Sequence, residues 1–464
     1  MRFKCSLAFA IALLFAASLC PAQAPPAAAP VGVANSFIRS KVLANGLEII
    51  VYEDHTVPLI TLEFVTRAGS FVETPEESGL SHLDEHMFFK SNLATKNHEP
   101  YLDHIDEMGI TYNGSTYEEH AEEFVTTLTA NLPVAIRYLR DAARYPLFDP
   151  DEVYAERQVV ISELDRNDSN PYAQINREMS ARLFYQYPNR KEPGGSRDVV
   201  GRATPEQLRS FYTTYWVPNN SALVVTGDIT PEDAFKEAEL FFGDWPRAED
   251  PFVKNPMVQH PPLIKSSAAV LQGPIQNVVA EIGWQGPSIG KDNAATYTAD
   301  VFSYILRQPN SRFQKALVDS GLVTAVDFGY YTQRAVGPIH LVLQTTPGKA
   351  RAALKAVQNE IAHFGDPDYF TDRELRDAKV LLGVEDLFRR EKPTEYSDDL
   401  SFWWASTGIE YFKGYQQSLA AVTRADISRY LNTYILGKPR VSLVLLSSET
   451  QQRIQLKTEE VLGQ

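Results

Sequence analysis

The run Gly79-Leu80-Ser81-His82-Leu83-Asp84-Glu85-His86 holds the residue types and spacing for metal-assisted hydrolysis. On a helix, His82 and His86 stand four residues apart and project from one face, close enough to share an ion. Neutral imidazole is a good zinc ligand. Glu85 lies beside His86 and three residues after His82, so its carboxylate reaches the position a metal leaves open. The order HxxEH reverses HExxH and is one of the peptidase signatures. The chemistry needs this set: zinc acidifies a water and polarises a carbonyl, and a carboxylate takes the water's proton. A third protein ligand is still required, because a catalytic zinc takes three and keeps one position open. Glu156 and Glu163 are candidates. They are seven apart, two helical turns, and share a helix face, with Val159 and Val160 expected toward the core. A solvated helix is the alternative setting for such glutamates.

The elements around these residues follow from hydrophobic pattern and punctuation. Strands are expected at 47–53, 59–67, 110–117, 122–129 and 221–227, and helices at 77–90, 98–108, 131–144, 150–168 and 204–216. The second half offers strands at 268–284, 323–331, 338–346 and 440–446. Its helices fit 294–307, 349–364, 371–388, 393–408 and 424–434, with Thr371 and Glu374 placed for a capping box. Residues 204–225 and 423–444 repeat each other at an offset of 219, aligning Thr204 with Thr423, Phe211 with Tyr430 and Tyr215 with Tyr434. Each copy reads as a capped helix, a turn and a strand. The chain is therefore expected to be α+β, with two homologous domains, each an antiparallel-rich sheet packed with helices. The domains are placed at 37–247 and 266–464, joined by a Pro-rich, charged linker at 248–265.

Residues 1–24 read as a signal peptide: Arg2 and Lys4, an apolar run, then Ala22-Gln23-Ala24 as a small-x-small cleavage site. Residues 25–36 form a Pro/Ala-rich tether. An uncleaved membrane anchor is the alternative. Lipidation of Cys20 is disfavoured by the large Leu19 before it. The chain is thus expected to be exported, with the bacterial periplasm as its compartment. Cys5 and Cys20, the only cysteines, both lie in the leader, so an exported mature chain relies on its core rather than on disulfides. No later apolar run has the length of a membrane span. The net charge of -15 argues against nucleic acid as a partner.

The chain resembles the pitrilysin/insulinase superfamily of inverted-motif zinc peptidases, and most its mitochondrial-processing-peptidase-like branch. In that family a ligating glutamate follows the HxxEH helix after about 76 residues, and 76 residues lie between His86 and Glu163. The family's ERxVVxxE pattern is present as Glu156 to Glu163. The resemblance implies that His82, His86 and Glu163 bind one Zn2+, that Glu85 is the general base, and that Glu156 orients a ligand. Asn45-Gly46-Leu47 and Arg67-Ala68-Gly69-Ser70 also match. Asn113, Gly114 and Ser115 resemble the edge strand that binds an extended peptide substrate by β-addition, with Gly114 where the family usually has Ala.

The resemblance also implies a clam-half subunit that pairs with another around a chamber. At the 219 offset, His82, His86 and Glu163 map near Val301, Ile305 and Leu382, so the second half has no metal set. Active relatives carry an Arg and a Tyr seven apart in that half. Here Leu317 or Val318 and Thr324 stand instead, which implies a paralogous partner supplying the pair in a heterodimer. Tyr330, Tyr331 and Arg334 are candidates for compensation. The reading is an exported zinc-dependent endopeptidase that cleaves extended peptides; the alternative is a non-catalytic scaffold or core subunit of the same fold. Trp403 and Trp404 are expected in the second domain's core, and His98 and His120 on the surface or in loops.

Overall fold

The structure is a computed structural model and describes residues 37–94 and 109–463. The leader, the tether, His98 and the helix expected at 98–108 lie outside the described residues.

Two sheets organise the chain. The first contains β1 (Ile38–Val42), β2 (Glu48–Glu53), β3 (Leu59–Thr66), β4 (Thr111–Thr116), β5 (Ala121–Leu128) and β6 (Ser221–Gly227), in the order β1-β2-β6-β3-β5-β4. The second contains β7 (Ser267–Gln272), β8 (Val278–Gln285), β9 (Ala325–Tyr330), β10 (Pro338–Thr345) and β11 (Val441–Leu446), in the order β7-β11-β8-β10-β9. The second order repeats β2-β6-β3-β5-β4 strand for strand. In these two five-strand runs the first pair, β2-β6 or β7-β11, is parallel and the rest are antiparallel, and β1 adds to β2 antiparallel. Glu48 and Ser267, and Leu59 and Val278, open their strands at the same separation of 219 residues. The duplication seen in the terminal helix-strand units therefore extends through both sheets. The single strand expected at 268–284 is two strands. Gly273-Pro274 breaks it, since Pro lacks a ladder donor, and β11 lies between the two pieces.

Eleven helices matter to the argument: α1 (Leu80–Phe88), α2 (Leu132–Arg144), α3 (Pro150–Ser169), α4 (Pro171–Leu183), α5 (Pro205–Tyr215), α6 (Pro231–Phe242), α7 (Asn293–Arg307), α8 (Ala350–His363), α9 (Asp372–Arg389), α10 (Pro393–Thr407) and α11 (Arg424–Tyr434). Capping boxes open α5 at Thr204, α9 at Thr371 and α11 at Thr423. Each box satisfies backbone N–H groups that the first turn leaves without partners. Pro at the start of α3, α4, α5 and α6 sits where a missing N–H costs nothing.

Central strand β3 is buried on both faces. Ile60, Leu62 and Phe64 meet a core shared with α1, α2 and α6, while Val65 joins the core of the second half. The halves exchange helices. Ile175, Met179 and Leu183 of α4 pack on Val279, Val441, Leu443 and Leu445 of the second sheet. In return α10 crosses β3 and β6 of the first sheet. There Trp404 Nε1 donates to Glu48 Oε2 at 2.8 Å, and the Arg67 guanidinium lies 3.9 Å from the Trp404 ring centre. Thr394 meets Thr126 at 2.9 Å. Each buried apolar side chain in such a contact contributes about 1.5–3 kcal/mol. Trp403 packs within the second half, 5.5 Å from the Phe412 ring, as expected. Trp404 is buried in the same core and also reaches the interface between the halves, because adjacent helical residues point about 100° apart.

Candidate metal centre

Helix α1 starts under tight local control. Its N-cap Gly79 has φ +101, a left-handed conformation that a side chain resists. Glu73 accepts from the backbone N–H of Gly79 and of Ser81, each at 2.9 Å, so a carboxyl group caps the helix N-terminus. The Ser81 hydroxyl donates to the Ala68 carbonyl. Gly195 crosses Gly79 so closely that a Cβ on Gly195 would stand 2.1 Å from the Gly79 Cα. Leu83, Met87 and Phe88 anchor the inner face of α1 in the core. That leaves His82 and His86 turned toward α3.

Asp149 caps α3 by accepting from Asp151 and Glu152. Val160 is buried, but Val159 is 43% exposed, against the expectation that both face the core. One helical position turns Val159 to solvent. The same periodicity brings Glu156 and Glu163 to the face opposite α1.

One ligand atom each from His82, His86 and Glu163 lies within 4.8 Å of the others, and no other group among the described residues does so. Glu163 Oε2 stands 3.5 Å from His82 Nε2 and 3.6 Å from His86 Nε2. A tetrahedral zinc with bonds of about 2.0–2.1 Å has ligand-to-ligand edges of about 3.4 Å, so this donor set fits zinc. His86 Nδ1 lies 3.0 Å from Glu156 Oε2, which fixes the tautomer with Nε2 free to ligate. Glu156 also holds Lys90 Nζ at 2.7 Å. Burial alone would raise the Glu156 carboxyl, but the bonds to His86 and Lys90 hold it below its ordinary value. Burial, then the nearby His86, pushes His82 down toward the neutral form a metal needs.

Glu85 faces the same space, with Oε2 3.9 Å from His82 Nε2. Burial pushes its carboxyl up to about 7, against the pull of His86 and the hydrogen bond from Thr116 at 3.3 Å. A Cβ on Gly114 would stand 2.6 Å from Glu85 Oε1, so this glycine is what lets the carboxylate lie against β4. Asn113, Gly114 and Ser115 line the same cavity of about 510 Å³. Among the described residues β4 is an edge of its sheet. Behind α1, Asp84 and Glu123 are buried, and burial pushes both carboxyl groups up toward the neutral form.

His82, Glu85, His86, Glu156, Glu163, Asn113, Gly114 and Ser115, the first-half residues singled out from the sequence, all line this one cavity. The sequence assigns no role in the site to Lys90, Thr116 or Glu73. Lys90 follows His86 by four residues, a helical signal available in the sequence. Glu73 and Gly195 act through loop crossings that leave no periodic trace. The second-half candidates do not reach the site. Tyr330 Oη donates to the Pro287 carbonyl at 3.0 Å, and Thr324 Oγ1 to the Gln344 carbonyl at 3.1 Å. Leu317 is buried, and neither Tyr331 nor Arg334 lines the cavity. Val301 and Ile305 of α7 and Leu382 of α9 are buried at the positions that correspond to the candidate metal set of the first half. His120 is in a loop, one of the two settings expected, but is buried there at 1% exposure. It sits in the β4–β5 turn, which α10 covers by placing Phe402 6.2 Å from its ring.

Residues 49–192 match the family model "Insulinase (Peptidase family M16)", and residues 202–382 match "Peptidase M16 inactive domain". The zinc protease PqqE of Helicobacter pylori is 23% identical over 404 residues, covering 85% of this chain and 90% of that protein. The crystal structure of a protease from Helicobacter pylori superposes with a TM-score of 0.79 at 21% identity, over 88% of this chain and 99% of that one. The first half of the periplasmic protease PqqL from Escherichia coli gives 0.75 at 18% identity, over 92% and 95%. With both family models matched in order along one chain, the protein belongs to the M16 peptidase family of insulinase-like proteins.

Proposed function

We propose that the chain is a zinc-dependent endopeptidase acting on extended peptides. The observation that carries this reading is the convergence of His82, His86 and Glu163 within 4.8 Å, with Glu85 beside them. Zinc held there supplies Lewis acidity to a water and to the scissile carbonyl. The chain's own residues do the rest. Edge strand β4 holds the peptide backbone by β-addition, with Asn113, Gly114 and Ser115 opposite the cleaved bond. Glu85 takes the proton of the attacking water and passes it to the leaving amine. Glu156 keeps His86 in its ligating tautomer.

The domain division at 37–247, 248–265 and 266–464 is part of this reading, since each sheet falls inside one of the two larger segments. So are the signal peptide, export to the periplasm and pairing with a paralogous subunit. The match to the first half of PqqL supports pairing, and so does the absence of a second-half Arg or Tyr from the metal cavity. Without such donors an oxyanion loses stabilisation typically worth about 10²–10³ in rate. A scaffold role is the second reading, favoured by the same absence.

The test is hydrolysis of a quenched fluorescent peptide library by the zinc-loaded mature chain, alone and with its paralogue, against Glu85→Gln. Turnover that Glu85→Gln abolishes supports the peptidase. A folded, zinc-loaded chain inert in both settings is a scaffold.

A further inference from the structure

The turn that joins β4 to β5 is tied to the second half. Tyr117 N donates to the His120 carbonyl at 2.8 Å, so Glu118 and Glu119 form its tip. The Glu119 carboxylate accepts from the backbone N–H of Arg334 at 2.7 and 2.9 Å and from that of Ala335 at 3.1 Å. Both donors belong to the loop at 331–337 that joins β9 to β10. Lys191, at the end of a short helical turn (Pro188–Lys191), holds the same loop by its carbonyls. Its Nζ donates to Ala335 O at 2.9 Å, to Val336 O at 3.1 Å and to Gln333 Oε1. Glu119 and Lys191 are both buried. Burial raises the Glu119 carboxyl, and Lys191 and the two N–H groups pull it back. Hydrogen bonds with one charged partner are the strong kind.

The loop is held in a fixed shape from its own half as well. Val336 has φ +59, a left-handed conformation that a β-branched side chain resists and that persists only where the surroundings impose it. Its N–H donates to Ser288 Oγ at 3.0 Å, and Ile289 N donates to Gln333 O at 3.0 Å. Thr332, Gln333 and Ala335 are buried although they lie in a loop.

At the other end of this connection stands the metal cavity. The tip follows Thr116, whose hydroxyl meets Glu85, and Gly114, which lies against the same carboxylate. Ser70 and Phe71 hold the first-half side of the turn, donating to Tyr117 O at 3.3 Å and Glu118 O at 2.8 Å. Opposed residues of an antiparallel pair alternate between hydrogen-bonded and non-hydrogen-bonded. Tyr117 and His120 are hydrogen-bonded, so Gly114 and Glu123, three steps along the register, are not. The N–H and C=O of Gly114 therefore point away from β5, toward the side where a peptide would add.

We propose that the second half sets the position of the substrate strand. The loop at 331–337, gripped by Glu119 and Lys191, holds the end of β4 in place beside Glu85, and Glu119 is a positioning residue for the peptide main chain. The proposal rests on the peptidase reading. It gives the metal-free half a part in that reading that needs none of its side chains in the metal cavity.

The test uses the zinc-loaded mature chain carrying Glu85→Gln, so that peptide is held and not cleaved. A fluorescein-labelled decapeptide is compared with analogues N-methylated at each amide in turn, and binding is read by anisotropy. At one or more positions the methyl group should weaken binding about three- to tenfold, the worth of a main-chain hydrogen bond. Glu119→Gln, an isostere that turns an amide NH2 toward the loop's N–H groups, and Glu119→Ala should each erase that penalty, so that methylated and plain peptides bind alike. A merely loosened fold weakens both peptides by the same factor and leaves the penalty in place. Zinc affinity, read by competition with a chromogenic chelator, should be unchanged in both variants. A penalty that survives in both variants overturns the positioning role and leaves the peptidase reading standing. Zinc affinity that falls together with the penalty overturns it too, because the whole site has then loosened. So does a parent that binds peptide with no penalty at any position, since no strand then pairs with β4. A parent that binds no peptide sinks the peptidase reading itself. If Glu119→Ala does not fold, Glu119→Gln decides.

Discussion

Glu156 Oε2 stands 3.0 Å from His86 Nδ1, and through this contact α3 sets the tautomer of an imidazole carried by α1. The same carboxylate holds Lys90 one turn beyond His86. Glu156→Ala should lower zinc affinity about 10–100-fold, the usual cost of losing such a support. Competition with a chromogenic chelator reads this directly, with the circular dichroism spectrum unchanged. Unaltered affinity would mean that His86 is oriented by something else.

The three proposed metal ligands sit on helices already anchored by Leu83, Met87 and Val160. Removing zinc should therefore leave the fold in place and cost only the linkage term. That term is about 4 kcal/mol at a free zinc concentration a thousandfold above Kd. Thermal unfolding with and without a chelator checks it. Loss of secondary structure on chelation at 25 °C would show that the site holds the helices, not the reverse.

Gly195 has φ +77 and its missing Cβ points at the Gly79 backbone. Gly195→Ala adds both strain and a clash, and we expect a loss of at least about 2 kcal/mol. Because the clash falls on the cap of α1, zinc affinity should fall with stability. An exposed positive-φ glycine with open space around it, Gly290, is the control: Gly290→Ala carries the strain without the clash.

Glu281 on β8 is buried, and burial alone pushes its carboxyl up from 4.5 to about 7. Between those values the folded chain keeps a proton that the unfolded chain has released. Its contribution is therefore lost as pH rises through that window, by at most about 3 kcal/mol. Denaturant midpoints for the parent and Glu281→Gln at pH 5 and pH 7.5 test the sign. The variant should show the shallower decline.

Met179 lies in α4 but packs on the second sheet. Met179→Ala should destabilise the chain by about 2–5 kcal/mol, as for other large-to-small core changes. Because the halves exchange helices, unfolding should remain one transition in calorimetry. Two separated transitions would show that each half is stable without the other's helix.

The sequence by itself determined the candidate metal set and most of the elements. His82, Glu85 and His86 are local, and helical periodicity alone puts the two imidazoles on one face. Thr204, Thr371 and Thr423 marked helix starts because capping needs only residues three apart. The 219-residue offset carried the duplication, since equivalent strands keep their order in a repeated unit. Only the tertiary structure decided which residues meet across long loops. Gly195 approaches the start of α1 from far along the chain, and Trp404 reaches out of its own half to lie on Arg67. His120 is buried because α10 crosses over it, an event no local pattern encodes. Glu119 reaches the loop at 331–337 across 215 positions of sequence, because the fold brings the β4–β5 turn against the second half. Periodicity reports one element's buried face, whereas a site between elements depends on packing, which is set by contacts distant in sequence.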